Sequence, residues 1–192
     1  LGRRFIINLP PEEQDSVERV FFQVEEAHWF YDDFIRKCNP NLPNLTLRAF
    51  SSKVFMQCPM IKRWELDASE AFAEFIKYKG IVPVRGAIML NDRLDSCVLV
   101  KSLKGSSLSF PRGKINRGES DVDCAVREVY EETGCDLAGR IRPEDVLEGT
   151  SPGTQNIKLY IVPGVSMDTL FETKTRGEIS DIKWMRLSEI PT

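Results

Sequence analysis

The sequence predicts an α+β chain of two domains: an all-helical one over residues 1–79, then one over 80–192 in which strands surround a helix. Three observations carry that reading. Apolar residues in the first part recur at spacings of three and four, the period of a helix with one buried face. Near Gly80 the pattern changes to short β-rich runs bounded by turn residues. Within the second part, residues 120–133 return to helical spacing with start and stop signals of their own.

The first helix is expected over 12–37, opened by Pro10 and Pro11, with Val17, Val20, Phe21, Val24, Ala27, Tyr31, Phe34 and Ile35 forming its stripe. A second is expected over 46–57, stopped by Pro59, and a third from Asp67, turning Ala71, Phe72, Phe75 and Ile76 inward. Phe21, Phe22, Phe30 and Phe34 add more apolar surface than three short helices cover, which reads as a docking face for a partner protein. Residues 78–83 are expected to act as a hinge. Strands are expected over 81–90 and 97–101, joined by the turn Asn91-Asp92-Arg93, and over 157–162 and 182–187. In the helix between them, Ser120 and Asp123 resemble a capping box, and Val122, Ala125, Val126 and Val129 form the buried side. Gly134 stands where a C-terminal cap is wanted. Strands around a helix leave this domain open between α/β and α+β.

Apolar residues make up 42% of the 192 and charged residues 29%, which excludes wholesale disorder. No apolar run approaches the roughly 18–20 residues that cross a bilayer, so no membrane span is expected. Residues 1–11 lack the apolar stretch of a secretory signal, and a chain that starts without Met is expected to be an excised piece. The five cysteines (38, 58, 97, 124 and 135) show no CxxC spacing and read as reduced thiols of a cytosolic or nuclear protein. The net charge of −3 does not advertise a nucleic-acid binder. Its distribution says more. Residues 101–117 hold five basic side chains (Lys101, Lys104, Arg112, Lys114, Arg117) and no acid, whereas 119–136 hold seven acids and one base, Arg127. A metal-dependent phosphate site needs such a juxtaposition, and two solvated faces also look like this.

The spacing within the acidic stretch is sharper. On the expected helix Glu128, Glu131 and Glu132 stand at i, i+3 and i+4 and share one face. Three carboxylates within one turn repel, and their place near the helix C-terminus adds an unfavourable dipole effect of ~0.3–1 kcal/mol. A divalent cation reverses the sign, and hard carboxylate oxygens suit Mg²⁺ or Mn²⁺. Arg127 reaches Glu131 at i+4 and holds its carboxylate in place.

The run from Gly113 through Glu119, Arg127, Glu128, Glu131 and Glu132 to Gly134 resembles the Nudix box of the Nudix hydrolases, with Cys135 in place of the usual aliphatic residue. The resemblance implies an α/β/α sandwich with a mixed sheet and hydrolysis of a nucleoside diphosphate linked to another moiety. It also implies Glu128, Glu131 and Glu132 as metal ligands that share in catalysis, with Glu119 in a supporting part. Residues 109–115, 83–90 and 27–34 look like the mRNA-decapping branch of that family, and this likeness runs across nearly the whole chain. It implies attack of water on the triphosphate bridge of the mRNA cap, releasing 7-methylguanosine diphosphate and 5′-monophosphate RNA, with Glu178 taking the water's proton. Trp29 stacks on the methylated guanine and Asp33 accepts from its edge in that reading, with Tyr78 and Lys79 joining the cap pocket when the domains close. Lys101, Arg112, Lys114, Lys174 and Arg176 hold phosphates of cap or RNA. The implied partners are capped mRNA, an activating decapping subunit bound through the helical domain, and enhancer-of-decapping proteins. The implied location is the cytoplasm and its P-bodies, with a nuclear pool as well. The family's last Nudix helix and disordered tail are expected to be missing after Thr192.

Two other readings stand beside this one. A Nudix enzyme of free nucleotides or nucleotide sugars needs neither the helical half nor Trp29 and Asp33. A non-catalytic Nudix-fold scaffold that binds RNA or protein has no use for three intact glutamates.

Overall fold

A computed structural model of the chain describes residues 2–58, 67–103, 105–151 and 155–190. Pro59, expected to stop the second helix, and Lys104 of the basic stretch lie outside the described residues, as do Pro191 and Thr192. The chain forms two compact units, Leu1–Gly80 and Ile81–Thr192.

The first unit is built on α1 (Val17–Phe30), α2 (Leu47–Gln57) and α3 (Ala68–Ile81). Short π segments at Arg3–Ile7 and Tyr31–Arg36 and a 3-10 turn at Pro11–Gln14 complete it. The single helix expected over 12–37 is therefore three pieces. Ser16 is extended and its hydroxyl accepts from the Arg19 N–H at 3.4 Å, which starts the α-helix at Val17. Apolar spacings of three and four do not separate 3-10, α and π winding. Val20, Phe21, Val24 and Ala27 pack with Phe50, Phe55, Ala71 and Phe75 in one core. Phe21 is 1% exposed and has no surface to offer a partner, contrary to expectation. Phe22 meets Phe75 edge-on at 5.1 Å, and Phe30 lies between Phe5 and Phe34. The π segment before α1 supplies the missing cover: its Ile6 is fully buried in the core. Of residues 78–83, Tyr78–Ile81 belong to α3, and Val82 and Pro83 lie between it and the first strand.

The second unit holds β1 (Val84–Met89), β2 (Ser96–Ser102), β3 (Leu108–Ser109), β4 (Arg112–Lys114), α4 (Asp121–Thr133), β5 (Val146–Thr150), β6 (Asn156–Val162) and β7 (Ile179–Arg186). One sheet is mixed, in the order β4-β1-β6-β5, with β1 and β6 parallel and the other pairs antiparallel. A second, antiparallel sheet has the order β3-β2-β7. The mixed sheet meets expectation, whereas the division into two sheets does not. Among the described residues α4 is the one α-helix lying wholly within this unit, so a second helical layer of the expected sandwich is not among them. β1 is buried along its length, as a central strand must be. Alternation sends Ala87 and Met89 towards Val129 of α4, with Val98 and Val162, and sends Ile88 to the opposite cluster with Cys97 and Leu99.

The helix that carries the acidic face is held at both ends. Ser120 Oγ accepts from the Asp123 N–H at 3.1 Å and donates to Asp123 Oδ2 at 2.6 Å, so the reciprocal bond of the box runs between side chains. Gly134 is left-handed (φ 73°), and its N–H closes on the Tyr130 carbonyl at 2.8 Å.

Candidate active site

The polar face of α4 is organised by one guanidinium. Arg127 donates from Nε and Nη2 to both oxygens of Glu119 (2.7 and 2.9 Å) and from Nη1 to Glu128 Oε1 (2.7 Å) and Glu131 Oε2 (3.2 Å). Nη2 also reaches the Lys114 carbonyl at 3.0 Å, tying the helix to β4. Glu132 lacks an arginine and accepts at Oε2 from the Arg112 main-chain N–H at 3.0 Å. β4 approaches so closely that a Cβ on Gly113 would meet the Glu128 carboxylate and move it from its place beside Arg127.

Charge is unevenly answered across this face. The Arg127 hydrogen bonds hold the Glu119 carboxyl below the usual range, against its burial, and the Asn116 N–H contributes. Burial pushes Glu128 up in spite of Arg127, with the charges of Glu131 and Glu178 adding to the effect. Burial pushes Glu132 up to about 7, against the Arg112 N–H and with help from Glu128 and Glu178. Cys124 is driven up to about 12 by burial and by the Glu119 charge, so it supplies no thiolate.

Among the described residues no three His, Cys, Asp or Glu side chains are gathered as a finished metal site. Arg127 draws Glu128 and Glu131 to itself while Glu132 turns to Arg112. The donor set nevertheless fits a hard divalent cation. Glu128 Oε2, Glu131 Oε1 and Glu132 Oε1 receive no hydrogen bond from the described residues, and two of these carboxylates sit where burial penalises their charge.

Glu178 is exposed, stands directly before β7, and follows Gly177 in the left-handed region (φ 76°). Its carbonyl accepts from the Leu103 N–H at 2.7 Å. Its charge registers on both Glu128 and Glu132, so these three carboxylates share one electrostatic neighbourhood. Of the expected phosphate ligands, Arg112 and Lys114 flank Gly113 on β4, and Lys101 is half-buried on β2. Lys174 pairs with Glu172 at 2.6 Å, and Arg176 is exposed.

In the helical unit Trp29 is 44% exposed at the end of α1. Asp33 lies beyond α1 in the π segment, paired with Lys37 at 3.1 Å. Local π winding often marks functional positions. Tyr78 is exposed and packs edge-on to Phe22 at 6.1 Å. The Lys79 ammonium is bonded to both oxygens of Glu25, a buried carboxylate one helical turn before Trp29. Glu25 went unnoticed in the sequence, where its one signal is that i+4 relation. Thr173, which bonds to the C-terminal turn of α4, had no local signal at all, because its partner is 42 residues away.

Residues 1–78 match the Dcp2, box A domain, and residues 81–192 match the NUDIX domain. The chain is 56% identical over 193 residues to the mRNA decapping complex subunit 2 of Schizosaccharomyces pombe, covering 100% of this chain and 26% of that protein. It is 43% identical over 187 residues to the m7GpppN-mRNA hydrolase of Saccharomyces cerevisiae, covering 97% and 19%. It is 43% identical over 190 residues to the mRNA-decapping enzyme subunit 2 of Arabidopsis thaliana, covering 99% and 51%. The chain thus spans from about a fifth to about half the length of these curated relatives. With more than half of its residues matching the NUDIX domain behind a Dcp2 box A domain, the chain belongs to the Nudix family.

Proposed function

We propose that this chain carries the catalytic machinery of an mRNA-decapping hydrolase. It cleaves the 5′ cap to release 7-methylguanosine diphosphate and 5′-monophosphate RNA. The observation that carries this reading is the acidic turn of α4, where three carboxylates each keep an oxygen without a donor among the described residues. The names of the relatives, decapping subunit 2 and m7GpppN-mRNA hydrolase, support this substrate over a free nucleotide.

Nudix hydrolases generally need a divalent metal ion, and here Glu128, Glu131 and Glu132 would hold Mg²⁺ or Mn²⁺. Bound there, the cation would acidify a water and neutralise charge on the phosphates. The protein's own groups do the rest. Arg127 keeps Glu128 and Glu131 oriented and Glu119 fixes Arg127, while Gly113 leaves room for the Glu128 carboxylate. Glu178 accepts the proton of the attacking water as its oxygen bonds to phosphorus and the bridging oxygen departs with the RNA 5′-phosphate. Lys101, Arg112, Lys114, Lys174 and Arg176 hold phosphates. Trp29 stacks on the cationic base, Asp33 accepts from its N1–H and N2–H₂ edge, and Tyr78 closes the pocket. Lys79 joins the pocket only by loosening its pair with Glu25.

The arrangement of domains follows the same reading: a cap- and partner-binding domain over 1–79 and a hydrolase domain over 80–192. An activating decapping subunit docks on the helical domain, where Phe34 remains exposed, and enhancer-of-decapping proteins join the assembly. Cytoplasm and P-bodies are the proposed location, with a nuclear pool. Cap-labelled RNA tests the proposal: 7-methylguanosine diphosphate is expected with Mg²⁺ and not with a chelator. Free dinucleotides cleaved faster than capped RNA would contradict it.

A further inference from the structure

A helix leaves the carbonyls of its last turn without partners inside the helix. On α4 two of them are taken up by a segment far along the chain. The Glu131 carbonyl accepts from the Lys174 N–H at 2.8 Å, and the Thr133 carbonyl accepts from the Glu172 N–H at 2.9 Å. The Thr173 hydroxyl also reaches the Glu131 carbonyl, at 3.3 Å. The Thr173 hydroxyl oxygen accepts from the Thr175 N–H at 3.2 Å and stands 3.1 Å from Thr175 Oγ1, and its proton is shared between the Glu131 carbonyl and the Thr175 carbonyl at 3.2 Å. Two main-chain bonds and the Thr173 hydroxyl therefore join the turn bearing Glu131 and Glu132 to the segment that runs through Thr175 and Gly177 to Glu178, and Thr173 is the side chain among them. At its far end this segment is pinned again, by the Leu103 N–H on the Glu178 carbonyl.

We propose that Thr173 is a positioning residue for cap hydrolysis, fastening the 172–178 segment to α4 and so setting where the Glu178 carboxylate stands relative to Glu128 and Glu132. The inference rests on Glu178 being the proton acceptor. Thr173 touches no reacting atom and acts only through the path of the backbone. Small displacements of a catalytic group carry large rate costs. Three of the five phosphate-holding residues (Lys101, Arg112, Lys114) lie on β2 and β4, away from this segment, and Lys174 keeps its own main-chain bond to Glu131.

The test is steady-state hydrolysis of capped RNA by the full chain carrying Thr173→Val or Thr173→Ser, each alone and combined with Glu178→Gln. Thr173→Val is expected to lower kcat about tenfold and to raise KM by less, about threefold, through Lys174 and Arg176 on the same segment. Thr173→Ser, which keeps the hydroxyl, is expected to restore most of the rate. In the Glu178→Gln background Thr173→Val is expected to cost nothing further in kcat, because the group it positions is gone. Thr173→Ala, which cannot overpack the site, is expected to repeat the Val result. Unchanged kcat in Thr173→Val, or the same proportional loss in both backgrounds, overturns the inference. Wild-type turnover in Glu178→Gln alone overturns the assignment of the base and this inference with it, an outcome distinct from failure at Thr173.

Discussion

Glu25 on α1 and Glu128 and Glu132 on α4 are carboxylates taken largely out of water, and the chain answers them differently. Glu25 is 7% exposed and gives both oxygens to the Lys79 ammonium, one anion to one cation. On α4 a single guanidinium serves Glu119, Glu128 and Glu131, and Glu132 has one main-chain N–H. The charge deficit answered in the first case is left standing in the second, where burial raises the Glu128 and Glu132 carboxyls. A buried pair such as Glu25–Lys79 fixes two helices to each other. A buried excess of anions is a place for something that arrives from outside. Burial of charge alone does not mark a functional site; burial of charge beyond what the fold neutralises does.

Four substitutions sharpen or break that contrast. The largest effect belongs to Glu178→Gln, expected to cut turnover at least about a hundredfold while RNA binding holds, read by single-turnover kinetics and filter binding. Next is Lys79→Met, which strands a buried anion and is expected to cost about 3–5 kcal/mol in urea unfolding, with no recovery on adding Mg²⁺. Arg127→Met removes a partly exposed cation and is expected to cost about 2 kcal/mol. Here Mg²⁺ recovers part of the loss, since a cation bound to the native state stabilises it. Equal metal response in the Lys79 and Arg127 variants would erase the contrast.

The smallest effect concerns acid stability. Burial tends to raise the Asp121 carboxyl, but hydrogen bonds from Arg85 and Lys158 outweigh it and hold it below the usual range. A carboxyl lowered by folding contributes stability that is whole above its unfolded pKa of about 3.9 and drains as pH falls through the folded value. Asp121→Asn is therefore expected to be roughly 1 kcal/mol less stable at neutral pH, the gap closing in acid as read by urea titrations at stepped pH.

What was legible in the sequence was what neighbours along the chain determine. The α4 pattern, its Ser120 start and its Gly134 stop involve residues within a few positions of each other, and the helix lies between them. The shared face of Glu128, Glu131 and Glu132 follows from the same arithmetic. β5 (Val146–Thr150) was invisible because it is mostly exposed, contains Gly149, and exists through pairing with β6. β4 is three residues around Gly113, made a strand by its register on β1. In the site, the Arg127–Glu131 contact was within reach of helix geometry. The sharing of Arg127 with Glu119 depends on how the loop before α4 folds back. The exposed face expected from Phe21 failed because the cover comes from Ile6, outside the helices counted.

Titration of Mn²⁺ into the full chain, followed by calorimetry or by loss of the free-ion paramagnetic signal, tests the central claim most directly. Saturable uptake is expected in the unaltered protein and its loss in Glu128→Gln/Glu132→Gln, with Lys79→Met binding normally. No uptake, or uptake unchanged when both glutamates are replaced, would contradict the account.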